Sequence, residues 1–319
     1  MGIINRGTIH LTVFALIVLT FPFWFEYTGG YAGLDTKIII WAIFALGFDL
    51  LLITGYLSFG HAAFFGISAY ATGLMLLHYS SNIIEAMIVG VVVSTIAAVI
   101  IGFLTLRRTG IYFSVLTLAF GEMFHTAAVS IFSGLTGGEN GLTGLPTPTL
   151  FGEKMQGSNV FYLCAIFLII GFYLARRITR SPFGLMLKSL KSNQTRLEYI
   201  GINVQFYKNS AFVLSSIYAA VAGSLMVIYE PYVATEFLEW KTSGTLVIMS
   251  VMGGVGTLFG PMIGAAFMLY FENVASVFLE EQWLLALGIM FMAIVVYLPG
   301  GFVDGYKRMM RHWVKKNQA

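Results

Sequence analysis

Three carboxylates fall inside long apolar runs: Asp49, Glu122 and Glu272. A charge at bilayer depth is costly, about 2.5–3.5 kcal/mol on insertion scales, and normally faces an aqueous path or a partner. Groups of this kind relay protons, hold a cationic solute or satisfy an interrupted helix. Asp49 comes six residues before Gly55-Tyr-Leu-Ser-Phe-Gly60-His61. It is expected to pair with His61, to satisfy backbone at a helix break, or to bond structurally to neighbouring backbone. Glu122 stands near the middle of the run 111–133. It reads either as a path or gating group or as a neutral, hydrogen-bonded packing residue. Glu272 is near the end of its run, can snorkel, and reads as structural. Ser58, His61 and Asn140 join Asp49 and Glu122 as candidates for a path or gate.

Other chemistries lack their residues. No Gly-x4-Gly-Lys-Ser/Thr phosphate loop occurs, and the dipeptide Gly-Lys is absent. Neither a His-Glu-x-x-His zinc motif nor a Gly-x-Ser-x-Gly nucleophile elbow is present. Glu122-x-x-His125 sets two ligands on one helix face, but a dimetal site needs a second such pair. No metal, no cofactor and no enzymatic activity are expected. The lone Cys164 lies in an apolar run, so no disulfide framework is expected.

The elements that position these residues follow from composition. Of 319 residues, 58% are hydrophobic and 10% charged, and the mean hydropathy is +0.83. Soluble domains carry about 25% charged residues, so soluble enzymes, nucleic-acid binders and disordered chains are excluded. A spanning helix needs about 20 apolar residues. Runs of that kind cover 9–25, 38–55, 62–79, 83–106, 111–133, 159–177, 209–229 and 283–299. The run 9–25 ends in Pro22-Phe-Trp-Phe-Glu26, too bulky for a signal-peptide cleavage site, so it reads as a retained span with Trp24 and Tyr27 in the interfacial belt. The stretch 243–278 is cut by Gly253-Gly-Val-Gly-Thr-Leu-Phe-Gly-Pro261, giving one broken helix or two short spans, 243–256 and 258–278. Gly256, Gly260 and Gly264 follow a small-xxx-small spacing, and Pro261 is expected to break the helix there.

Charge placement decides the count. With ten spans, fifteen of the 18 basic residues fall inside: Arg6, Arg107, Arg108, seven from Arg176 to Lys208, and five from Lys307 to Lys316. Only Lys37, Lys154 and Lys241 fall outside. The positive-inside rule therefore favours an all-α polytopic membrane protein of about ten helices, both termini cytoplasmic, with 243–256 short enough to be re-entrant. The chain reads as one transmembrane domain over 1–319, with a Gly-rich outside loop at 134–158 and a long inside segment at 178–208. Gly55 and Gly60 echo Gly253, Gly256, Gly260 and Pro261 as helix breaks in two halves, a feature of transporter binding regions and of tightly packed membrane helices alike. In 178–208, Leu187, Leu190 and Leu197 fall at helical spacing beside Lys188, Lys191 and Arg196, and Gly201 stops the last turn. That segment reads as a headgroup-binding topology signal or as a docking element.

Several motifs in order carry a resemblance. Gly55-Tyr-Leu-Ser-Phe-Gly-His-Ala62, Thr117-Leu-Ala-Phe-Gly-Glu122, Thr136-Gly-Gly-Glu-Asn-Gly-Leu142, Gly201-Ile-Asn-Val204 and Gly253-Gly-Val-Gly-Thr-Leu-Phe-Gly-Pro261 span nearly the whole chain. The sequence resembles the LivM-type permease subunit of ABC importers for branched-chain (hydrophobic) amino acids. The resemblance implies an ABC permease fold in the bacterial inner membrane, and Gly184, Leu187, Lys188, Leu190, Lys191, Arg196 and Gly201 become an ATPase-coupling set. It also implies a second, LivH-like permease, two cytoplasmic ATPase subunits, a periplasmic binding protein and no nucleic acid. Leu185 follows Gly184 where the family usually has Arg, and Lys191-Ser-Asn-Gln194 lacks the acids of the family's Arg-Glu-Asn-Glu stretch. Permeases for urea or short amides, and a stand-alone proton-coupled transporter or channel, are the alternatives.

Overall fold

The computed structural model describes residues 6–25, 33–279 and 282–317. The belt position Tyr27 lies outside them. Each of the ten apolar runs is one helix: α1 (Arg6–Phe25), α2 (Leu34–Leu52), α3 (His61–His78), α4 (Ile83–Thr105), α5 (Ile111–Thr126), α7 (Ser158–Arg180), α10 (Val204–Tyr229), α11 (Trp240–Gly253), α12 (Phe259–Leu279) and α13 (Trp283–Tyr297). Short helices fill the connections: α6 (Ser133–Thr136), α8 (Pro182–Ser192) and α9 (Gln194–Tyr199), with α14 (Gly301–Asn317) at the end. A single turn of π-helix, Ala127–Ile131, prolongs α5.

Crossing is a stricter test than helicity. Among the described residues, five helices are long and apolar enough to cross a membrane, and six if α13 and the first part of α14, bent by 43°, form one span. The count of about ten is therefore not confirmed. α2 carries Asp35, Lys37 and Asp49 in 19 residues. At 14 residues α11 is about 21 Å long, short of an apolar layer of about 30 Å.

The core centres on α10, which packs on α2, α3 and α4 and is the most buried of the candidate spans. Without a hydrophobic drive in lipid, helices are held by close approach of small residues and by hydrogen bonds between helices. Both occur here. Gly47 lets α2 lie against Tyr218 of α10, and the Tyr218 hydroxyl donates to the Gly171 carbonyl of α7 at 2.7 Å. Ser68 and Thr72 of α3 bond the Ser224 hydroxyl of α10 at 2.7 and 2.9 Å, where Gly90 of α4 closes in. Phe44, Phe48, Phe64, Phe65 and Phe212 fill the centre, all fully buried.

α11 and α12 form a tight antiparallel hairpin. A Cβ on Gly264 would overlap the Met249 carbonyl, and one on Gly253 would overlap the Gly260 carbonyl. The small-residue spacing thus serves contact between the two helices. Pro261 corrects the expectation of a break at that point. It sits in the first turn of α12, where its missing N–H leaves nothing unsatisfied.

Candidate functional site

The two helix breaks are held by each other's leading helices. The first, 53–60, joins α2 to α3; the second, 254–258, joins α11 to α12. Backbone donors freed at such breaks need acceptors when no water reaches them. Asp49 of α2, fully buried, supplies them to the second break. Its Oδ1 accepts from the Gly256 N–H at 2.6 Å and its Oδ2 from the Leu258 N–H at 3.0 Å. Gly256 (φ +78°) and Leu258 (φ +62°) are both left-handed there, which turns successive N–H groups toward the carboxylate. In return, Ser243 of α11 accepts from the Ala62 N–H at the start of α3, at 2.8 Å.

Asp49 is therefore the backbone-satisfying group at a break, but at the break 207 residues downstream rather than the adjacent one. It does not pair with His61. The His61 Nε2 lies 2.7 Å from the Ser215 hydroxyl of α10, and Phe48, Phe64 and Phe212 surround the ring edge-on at 5.0–5.6 Å. Its Nδ1 is buried without a partner. Ser58 caps locally, accepting from the Gly60 N–H at 3.2 Å.

α5 is the wall behind the first break. The Phe59 N–H donates to Thr117 Oγ1 at 3.2 Å, and the Ser114 hydroxyl donates to the Leu57 carbonyl at 2.6 Å. Gly60 sits against the Thr117 carbonyl, with no room for a Cβ. One turn on, Glu122 reaches the start of α11, where its Oε1 accepts from the Trp240 N–H at 3.2 Å. An acid is favoured at that helix end by the exposed N–H groups. His125 lies 3.9 Å from both Glu122 and Glu239. The Glu122 side chain is 38% exposed on this chain.

Asn140 is exposed in the Gly-rich loop 134–158. Its carbonyl accepts from the Tyr232 hydroxyl at 3.1 Å, and Leu142 pairs with Val233 through two backbone bonds of 3.0 Å. A run of left-handed glycines, 137, 138, 141 and 144, bends the chain over that contact. Tyr70, beneath it, has a buried hydroxyl without a partner.

The segment 178–208 holds two short helices between α7 and α10. Ser181 caps α8 by accepting from the Gly184 N–H, Pro182 opens it, and Asn193 caps α9 by accepting from the Arg196 N–H. Gly201 (φ +82°) ends the pair. The burial pattern reverses one expectation. Leu187, Leu190 and Leu197 face the body of this chain and are buried there, so they do not form the outer face of the segment. Leu185, Tyr199 and Ile200 are exposed instead, beside Lys188, Lys191 and Arg196. The segment touches the first break: Lys191 packs on Gly55, and the Tyr56 hydroxyl donates to Gln194 Oε1 at 3.2 Å. Burial, reinforced by Glu198, pushes the Tyr56 hydroxyl up to about 12, so it stays a donor at neutral pH.

Sequence reasoning missed Ser243 and Ser215. Tyr56 and Thr117 stood inside quoted motifs without a role. Ser243 and Ser215 gave no signal, since a lone serine in an apolar run reads as a weak interruption.

Comparison with known proteins completes the picture. Residues 30–298 match the family described as branched-chain amino acid transport system / permease component. The chain is 26% identical to the high-affinity branched-chain amino acid transport system permease protein LivM of Salmonella typhimurium, over 99% of this chain and 80% of the relative. LivM of Escherichia coli is also 26% identical, over 94% and 76%. The autoinducer 2 import system permease protein LsrC of Enterobacter sp. strain 638 is 23% identical, over 86% and 79%. No solved structure matches. With the quoted motifs at the two interlocked breaks, and the match running through both, the chain belongs to the family of branched-chain amino acid transport permeases.

Proposed function

We propose that this chain is the permease subunit of a binding-protein-dependent ABC importer that moves branched-chain or other hydrophobic amino acids across the bacterial inner membrane. The observation that carries the reading is similarity to two LivM proteins over almost the entire chain. In this reading ATP hydrolysis occurs in two cytoplasmic partner subunits, a LivH-like permease completes the pathway, and a periplasmic protein delivers the solute. Both termini lie inside. The exposed face of α8 and α9 docks the ATPase, and motion there reaches the first break through Tyr56 and Lys191.

The geometry disfavours proton coupling through Asp49. Both its oxygens are committed to backbone donors, so protonation would break one of two buried bonds. The buried polar groups shared by α3 and α10 are three hydroxyls and the His61–Ser215 pair, with no carboxylate or lysine among them, which favours a zwitterionic or uncharged solute. LsrC relatives serve another substrate class, so the solute is set by experiment.

The test is reconstitution. Vesicles holding this chain with its permease, ATPase and binding-protein partners should accumulate labelled leucine only with ATP. Uptake by this chain alone under a proton gradient would refute the reading. A binding protein that takes a short amide and not leucine would move the substrate within the same family.

A further inference from the structure

At the inside end of α7 a cleft of about 390 Å³ opens between α7, α8 and the second break. Arg176 and Arg180 enter it from one face of α7, four residues apart, and Lys188 enters from α8, folded back by the Ser181–Pro182 turn. Ile53, Phe172, Leu258 and Phe259 form the apolar wall. No carboxylate lies within ion-pair distance of any of the three cations among the described residues. The nearby Asp49 carboxylate is taken up by Gly256 and Leu258. Both wall hydroxyls are also committed, Thr179 donating to the Ala175 carbonyl at 2.9 Å and Thr257 to the Gly254 carbonyl at 2.8 Å. The free side-chain donors of the cleft among the described residues are thus all cationic, and they line one space.

We propose that this cleft binds the phosphate of an anionic phospholipid of the inner leaflet. Two arginines and a lysine around one cavity suit a phosphate's oxygens, since each guanidinium presents a planar fork of donors. A surface marker of topology needs neither concavity nor an apolar wall. The wall also selects the source of the phosphate. Phe259 is 38% exposed, packs tilted on Phe172 at 4.6 Å and edge-on against Phe14 at 5.7 Å, and Ile263, one turn further along α12, is 47% exposed. An acyl chain leaving the cleft would run along that ladder, while a soluble phosphate would leave it bare. Basic pockets between membrane helices on the cytoplasmic side are a recurrent headgroup site. The lipid would rest against residues 256–258, the loop that Asp49 holds, and so stabilise the second break.

Native mass spectrometry of the full chain in detergent tests this, with phosphatidylglycerol and phosphatidylethanolamine as probes. Wild type should prefer phosphatidylglycerol. R176Q/R180Q should weaken its binding about tenfold or more, about 1.4 kcal/mol per tenfold step. The matched control R107Q/R108Q, with the same charge removed from the α4–α5 turn, should bind as wild type does. Equal loss in both variants would mean general basic attraction and overturn the site, as would no loss in R176Q/R180Q. If that variant does not purify folded, K188Q serves, with weakening expected and wild-type binding overturning. Displacement by glycerol phosphate in an Arg176- and Arg180-dependent way, with no preference between the two lipids, would overturn the lipid assignment.

Discussion

Asp49 is a single, fully buried carboxylate with two backbone bonds, and that makes its replacement informative. Asp49→Asn keeps one acceptor and turns an amide donor toward a backbone N–H. The expected loss is about 1–3 kcal/mol for a buried donor left unsatisfied, seen as a lower melting temperature in detergent. Wild-type stability would count against the pairing. Thr117→Val should cost about 1–3 kcal/mol, since it removes the acceptor for the Phe59 N–H and the hydroxyl's own bond to the Ser114 carbonyl. At this scale the sequence was half legible. A carboxylate in an apolar run announces a committed role, and backbone satisfaction at a break was one of the roles open to Asp49. Which break it serves was hidden, because the partners are main-chain N–H groups 207 and 209 residues away and carry no side-chain signature.

Among the helices, α8 gives the sharpest test. Leu187 is fully buried and Leu185 is 58% exposed, two residues apart on opposite faces of α8. Leu187→Asp should lower the yield of folded protein by burying an unpaired charge. Leu185→Asp should leave folding intact and abolish recovery of the ATPase partners in a pull-down. Undiminished recovery with Leu185→Asp would remove α8 from the docking face. In the α11–α12 hairpin, Gly264→Leu should open the contact at Met249 and cost about 1–3 kcal/mol or more, as overpacking does. Helix positions were legible because twenty apolar residues in lipid leave few other ways to satisfy the backbone. The facing of α8 was not, since Leu187 and Leu190 at helical spacing fit an inward stripe and an outward one equally well. Pro261 was misread for a similar reason. Proline disrupts a helix interior but opens a first turn, and only the position of the turn decides.

For the molecule as a whole, orientation is the property to measure. In a Cys164→Ala background, Asn140→Cys should react with an impermeant maleimide in intact cells. Thr195→Cys on α9 should react only after permeabilisation. The opposite labelling would invert the topology drawn from the basic residues. Global class was the most legible level, because charge content and its asymmetry hold for the chain regardless of packing. The number of crossings was the least legible: α11 is helical yet too short, and α2 is long yet charged.

The reciprocal hold between the breaks also bears on how the chain is made. Synthesis runs from α1 onward, so Asp49 enters the membrane long before Gly256 and Leu258 exist. During that interval the carboxylate has none of its final partners. A nascent chain stopped after α10 should therefore be a substrate for membrane proteolysis, and Asp49→Asn should lengthen the lifetime of that fragment while shortening that of the full chain. The residue that locks the finished protein would then mark the unfinished one.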